Sequence, residues 1–285
     1  MSFSIFKSSN ASSGTAMRVV DHLEDLRKCL FRALIAIAAG ATIVGVYNKV
    51  FIKGILMGPT HSNFPTYRLL CKIGSALHLN NLCIKLDIVK MQSIGVSAQF
   101  NMFFSSILIG GIIIAFPYIF MQFWNFVKPA LTHQEQQKTR GVIFWVSILF
   151  FLGVLFGYFV IAPYTISFFA HFTIDDNIEN RWTISSYIGT LIPLILGAGL
   201  AFQLPVAMVF LSKASLVTST FLKKKRKYAM VVMLIVAGVI TPPDVLSQVI
   251  VTVPLMLLYE ASIILVKRLE KRKKVEDDNN LLAAA

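Results

Sequence analysis

Long apolar runs without a single charge dominate the pattern of this chain. Asp, Glu, Lys and Arg are absent from Ala33–Asn48, Met91–Val127, Gly141–Ile174, Trp182–Ser212 and Tyr228–Pro243. A helix crosses a ~30 Å hydrocarbon core with about 20 predominantly apolar residues. The runs are continuous rather than alternating over ~10 residues, which excludes a transmembrane barrel. The pattern therefore predicts an all-α integral membrane protein with six transmembrane helices. The spans fall near Leu30–Val50, within Ala98–Val127, and near Gly141–Phe169, Tyr187–Leu211, Tyr228–Ile240 and Val245–Val266. Taken as one helix, Met91–Val127 would be roughly 55 Å long. It must tilt, kink at Gly110-Gly111 or Pro117, or leave the bilayer. Helices five and six are short, the fifth only about 20 Å, so the bilayer must thin or flanking groups must snorkel. They are joined by Thr241-Pro242-Pro243-Asp244, which reads as a tight hairpin. The prolines end helix five and Asp244 caps helix six.

Composition sharpens this picture. Of 285 residues, 56% are hydrophobic and 14% charged, against about 25% charged in soluble domains. That excludes a soluble enzyme, a disordered chain and a fibrous repeat. The net charge of +13 would suggest nucleic acid in a soluble protein, but basic residues also gather in the cytoplasmic loops of membrane proteins. With both termini inside, 19 of the 27 Lys and Arg lie on the cytoplasmic side and seven outside, Arg32 remaining in the first span. Six of those seven sit in the long loop Lys49–Lys90, and long loops weigh less. Both termini are therefore expected in the cytoplasm, with no nucleic-acid partner. Residues 1–17 read as a disordered cytoplasmic leader without a signal-peptide core, 18–268 as the membrane domain, and 269–285 as a charged, disordered cytoplasmic tail.

Catalytic signatures are missing. The chain has no phosphate loop, and His133-Gln134-Glu135 lacks the second metal-binding histidine. It also has no nucleophile elbow. An enzyme is not expected, nor a metal or cofactor. A proton-coupled carrier of small solutes is the alternative; it would have to use the intramembrane polar residues Glu260 and Gln203, and no internal repeat supports it.

The remaining candidates are carboxylates on a basic face. In Val19–Lys28 the apolar residues recur at helical spacing, which predicts an amphipathic interfacial helix carrying Asp21, Glu24 and Asp25. Glu24 and Lys28 stand at i,i+4 and can simply pair. Surplus carboxylates there, with Glu135 between spans two and three, would instead suit a ligand bearing arginine, since guanidinium and carboxylate pair in bidentate fashion.

Five separated motifs carry a resemblance. They are His22-Leu23-Glu24-Asp25-Leu26-Arg27, Phe126-Val127-Lys128-Pro129-Ala130-Leu131 followed by Glu135, Gln203-Leu204-Pro205-Val206, Lys224-Lys225-Arg226-Lys227-Tyr228, and Thr241-Pro242-Pro243-Asp244-Val245-Leu246-Ser247-Gln248. In this order, from about Val19 to Val266, the chain resembles TatC, the core subunit of the twin-arginine protein translocase. The resemblance implies a receptor for Arg-Arg signal peptides in a bacterial inner membrane. Such a receptor moves folded proteins by the proton-motive force with single-span TatA- and TatB-type partners, as a homo-oligomer contacting membrane lipid. It also implies that Asp25 and Glu135 receive the two arginines. Phe126, Pro129 and Leu131 would shape the loop presenting Glu135, Arg27 and Lys223–Lys227 the cytoplasmic face, and Pro59, Asp244 and Gln248 the outer elements. Two positions depart from the family. Asp25 stands where a Glu is usual, with Glu24 beside it, so either could reach an arginine. Gln203 stands where a buried Glu is frequent, and an amide cannot titrate.

Two further expectations concern the long outer loop and the bundle faces. Cys71 and Cys83 either close the loop by a disulfide or remain free thiols, and Leu69–Leu82 suggests an amphipathic cap helix. Six helices cannot enclose a lumen wide enough for a folded domain. Faces rich in small residues, such as Gly153, Gly157, Gly189, Gly197 and Gly199, would dock single-span partners.

Overall fold

The computed structural model describes residues 19–76, 91–128, 141–175, 181–213, 216–241 and 245–284. Its helices are α1 (Val19–Val46), α2 (Asn48–Val50), α3 (Pro65–Ala76), α4 (Ala98–Val127), α5 (Val142–Phe156), α6 (Ala162–His171), α7 (Ile184–Ala201), α8 (Leu204–Lys213), α9 (Ser219–Lys224), α10 (Arg226–Ile240) and α11 (Val245–Ala284). Among the described residues, five helical stretches are long and apolar enough to cross a membrane: Leu23–Val46, Ala98–Val127, Val142–His171, Ile184–Lys213 and Val245–Arg272. The short α10, with 15 residues, would reach only about 22 Å. The sixth helix, also expected to be short, is instead long enough to cross over Val245–Arg272, because the helix continues without a break to Ala284.

α1 begins with the amphipathic segment and runs into the first span without a break, because nothing between Val19 and Val46 ends a helix. α4 spans 30 residues with Pro117 inside. α5 and α6 are joined by a π-turn over Gly157–Ile161, where Pro163 near the start of α6 is tolerated. α7 and α8 are interrupted at Phe202-Gln203, with Pro205 at the second residue of α8. α11 continues past Val266 to Ala284, whereas composition predicts a disordered tail after residue 268. Its Lys, Arg and Glu residues are strong helix formers that extend a helix already anchored in the bundle.

Glycines set the close approaches between helices. α1 and α4 run antiparallel, and a Cβ on Gly111 would lie 2.5 Å from the Ala41 nitrogen, while one on Gly40 would lie 2.7 Å from the Gly111 oxygen. α5 meets α7 in the same way, where a Cβ on Gly153 would lie 2.7 Å from the Ala198 oxygen. Close backbone approach of this kind supports helix association in lipid, where no hydrophobic drive between helices exists. Phe116 of α4 stacks on Phe150 of α5, centroids 3.5 Å apart. The main core lies where α7, α10 and α11 meet, around Leu194, Ala198, Ala237, Val251 and Leu255.

One end of the bundle is capped. Pro59 is fully buried there. Tyr67 of α3 donates to the carbonyls of Pro59 and Pro163 at 3.0 and 3.1 Å. Tyr187 donates to Leu56 at 2.7 Å, and Tyr158 to Ile55 at 2.6 Å. Two short parallel strands, β1 (Met91–Gln92) and β2 (Trp182–Thr183), tie the neighbouring connections together. Gln248 donates to the Leu234 carbonyl at 2.8 Å, joining α10 to α11, and Ser247 and Thr165 share a hydrogen bond of 3.0 Å. The opposite end carries the start of α1, the end of α4, α9 and the basic part of α11.

Candidate functional site

The antiparallel contact of α1 and α4 fixes what shares the uncapped end. Gly40 lies against Gly111, so moving 15 residues back along α1 and 15 forward along α4 puts Asp25 level with Phe126. Two candidates separated by a hundred residues of sequence are thereby brought to one end of one helix pair. Glu135, Pro129 and Leu131 lie outside the described residues.

The two neighbouring carboxylates differ. Glu24 pairs with Lys28 at 2.9 Å, both side chains exposed. Asp25 is exposed and has no ion pair among the described residues. Successive helical residues point about 100° apart, so Lys28 serves Glu24 and leaves Asp25 available. Arg27 lies 6.0 Å from the centroid of the Phe31 ring, directed along its own helix. Leu23, Leu26, Leu30 and Phe31 are all exposed, forming an apolar surface beside the carboxylates.

Other predicted residues are distributed as follows. Gln203 donates to the carbonyls of Val146 and Gly199 at 3.2 and 3.4 Å, and its own buried oxygen has no partner among the described residues. It therefore holds the α7–α8 interruption against α5. Glu260 pairs with Arg226 at 2.6 Å, level with the basic start of α10. Pro59 and Gln248 belong to the capped end; Pro242, Pro243 and Asp244 lie outside the described residues. Cys71 of α3 is disulfide-bonded and Cys29 is free, while Cys83 lies outside the described residues.

Sequence reasoning missed three arrangements. Glu270 of α11 accepts from the Ser219 backbone N–H at 2.8 Å and from the Ser219 hydroxyl, capping α9. Tyr259 donates to the Leu222 carbonyl at 2.9 Å. The tyrosine bonds of the capped end form the third. A signal existed, because a tyrosine in an apolar stretch must find a partner for its hydroxyl, but its partner is not legible from spacing.

Comparison with known proteins bears on the whole arrangement. The family model "TatC: Sec-independent protein translocase protein (TatC)" matches residues 21–254. The chain is 41% identical over 210 residues to the Sec-independent protein translocase protein TatC of Blattabacterium sp. subsp. Periplaneta americana, covering 72% of this chain and 77% of that protein. It is 30% identical over 203 residues to the protein of the same name from Campylobacter jejuni, covering 71% and 74%. The crystal structure of the twin arginine translocase receptor TatC in DDM superposes with a TM-score of 0.68 at 29% identity, covering 86% of this chain and 99% of that one. Five long apolar helices in this bundle make a multi-pass membrane protein, and the match over most of its length makes it a transport protein: the chain belongs to the TatC family of Sec-independent protein translocase components.

Proposed function

We propose that this chain is the receptor and core subunit of a twin-arginine translocase. It sits in a bacterial inner membrane with six spans and both termini cytoplasmic, the short α10 serving as the fifth span. Its uncapped end binds Arg-Arg signal peptides, and folded substrates cross by the proton-motive force with TatA- and TatB-type subunits and further copies of the chain. Asp25 receives one arginine and Glu135 the other; Phe126, Pro129 and Leu131 shape the wall between them, and Arg27 the approach.

The observation that carries this reading is the contrast at the start of α1. Asp25 is exposed, level with Phe126 and without a cationic partner among the described residues, while Lys28 already neutralises Glu24. A guanidinium meeting Asp25 gains a charge-assisted, potentially bidentate hydrogen bond. The exposed apolar face of Leu23, Leu26 and Leu30 offers contact for the apolar stretch that follows an arginine pair. The carrier reading loses ground, since Glu260 is paired with Arg226 rather than standing alone as a proton site. We also assign the disulfide of Cys71 to Cys83, closing the outer loop.

Site-specific photo-crosslinking tests the location. A photoreactive residue at position 126 should capture a labelled Arg-Arg signal peptide, and one at position 248, at the capped end, should not. Equal capture at both positions would refute the placement.

A further inference from the structure

A separate, basic site lies at the same end of the bundle. A cleft of about 520 Å³ opens between the α9–α10 junction and α11, within the ~300–1,000 Å³ range of small-ligand sites. Lys223 and Arg226 reach it from one side, and Lys267, Arg268 and Lys271 from the other. The single carboxylate in its lining among the described residues, Glu260, is bonded to Arg226. Glu270, which could have neutralised the cluster, is held on Ser219 instead. Among the described residues, Lys223, Lys267, Arg268 and Lys271 have no anionic partner. Four uncompensated cations converging from two separate elements on one concave surface repel one another, unless a ligand with clustered negative charge occupies it.

The floor of the cleft states what kind of anion. Ile263 and Ile264 line it, and Ile264, Leu257 and Leu265 are exposed large apolar side chains of α11. Glu260, Ile264, Lys267 and Lys271 follow one another at helical spacing on α11. The same face thus passes from lipid-exposed apolar residues to cations within about two turns, or ~11 Å. A soluble phosphate would use only the cations. A molecule with a phosphate head and acyl chains uses both, its chains remaining in the bilayer alongside Ile264 and Leu257.

We propose that this cleft is a binding site for an anionic phospholipid, its headgroup phosphate held by Lys223, Lys267, Arg268 and Lys271. Basic pockets between membrane helices are suited to such headgroups. Bound lipid would pin α11 to the α9–α10 junction from the membrane side, where Tyr259, Glu260 and Glu270 already tie the same elements from within the protein.

Native mass spectrometry of the purified full chain, titrated with phosphatidylglycerol or phosphatidylcholine, provides the test. Phosphatidylglycerol should be retained at least about tenfold more tightly than phosphatidylcholine. The Lys267→Gln, Arg268→Gln, Lys271→Gln triple variant should lose that preference. The Lys224→Gln, Lys225→Gln, Lys227→Gln triple variant, which removes as many charges beside the cleft but not lining it, should keep it. The Lys267→Arg, Lys271→Arg variant should also keep it, separating lost charge from a disturbed fold. Equal loss in both glutamine triples would mean diffuse surface charge and overturn the site. Displacement of phosphatidylglycerol by equimolar glycerol phosphate would overturn the lipid assignment.

Discussion

Adjacent carboxylates on a helix point about 100° apart, and at Glu24 and Asp25 the bonding to nearby cations differs as well. Lys28 is one turn away from both, four residues from Glu24 and three from Asp25, and it bonds Glu24. Asp25→Asn should therefore weaken Arg-Arg peptide binding by tenfold or more, since a hydrogen bond between charged groups contributes about 1.5–3 kcal/mol. Glu24→Gln should change it by less than about threefold, because an exposed i,i+4 pair contributes only a few tenths of a kcal/mol. Isothermal titration with a signal peptide distinguishes the two. The sequence alone could place both carboxylates on the amphipathic segment but could not choose between them. The choice depends on which one Lys28 reaches in three dimensions. Glu260 illustrates the same limit, because its partner Arg226 lies 34 residues earlier and no periodicity points to it.

Helix pairs are decided by backbone approach as much as by side chains. At the α1–α4 crossing, a Cβ on Gly111 would come within 2.5–2.9 Å of Ala41 backbone and side-chain atoms. No rotamer change can relieve a clash with backbone. Gly111→Ala should cost about 1–3 kcal/mol, seen as a lower melting temperature in detergent. It should also weaken peptide binding, because the crossing sets the register that levels Asp25 with Phe126. Gly189→Ala, where a Cβ meets nothing within 4 Å, is the matched control and should leave both unchanged. Apolar runs and their punctuation by Pro and charge predicted where these helices lie, including the brevity of α10. They did not predict the interruption at Phe202-Gln203 or the π-turn at Gly157–Ile161, although Pro205 and Pro163 stand just after them. The helical course of the basic segment after Val266 was likewise hidden, since composition there reads as solvated chain.

Across the whole molecule the two ends do different work. The capped end is fastened by buried hydroxyls, and burial pushes the Tyr67 phenol well above the ordinary tyrosine range. Its protonated form is the one that donates to Pro59 and Pro163. The stability this contributes is present at neutral pH and is lost only as pH rises past the ordinary tyrosine value toward the raised one. Tyr67→Phe should accordingly destabilise the protein by about 1–3 kcal/mol while leaving peptide affinity untouched, because the proposed peptide site lies at the opposite end of the bundle. Intact-mass analysis without reductant should find Cys71 and Cys83 two hydrogens lighter than the reduced pair, and a single alkylatable thiol at Cys29. The membrane class and the family motifs were legible in the sequence. The fastening of the cap, assembled from residues a hundred positions apart such as Tyr158 and Ile55, was not.

The receptor assignment is tested most directly by binding a labelled Arg-Arg signal peptide, and its Lys-Lys counterpart, to the purified detergent-solubilised protein and its Glu135→Gln variant. Lysine keeps the charge but lacks the planar fork that matches a carboxylate. Selective binding of the Arg-Arg peptide, lost in Glu135→Gln, is the predicted result. Equal affinity for the two peptides, or full Arg-Arg affinity in the variant, would contradict it.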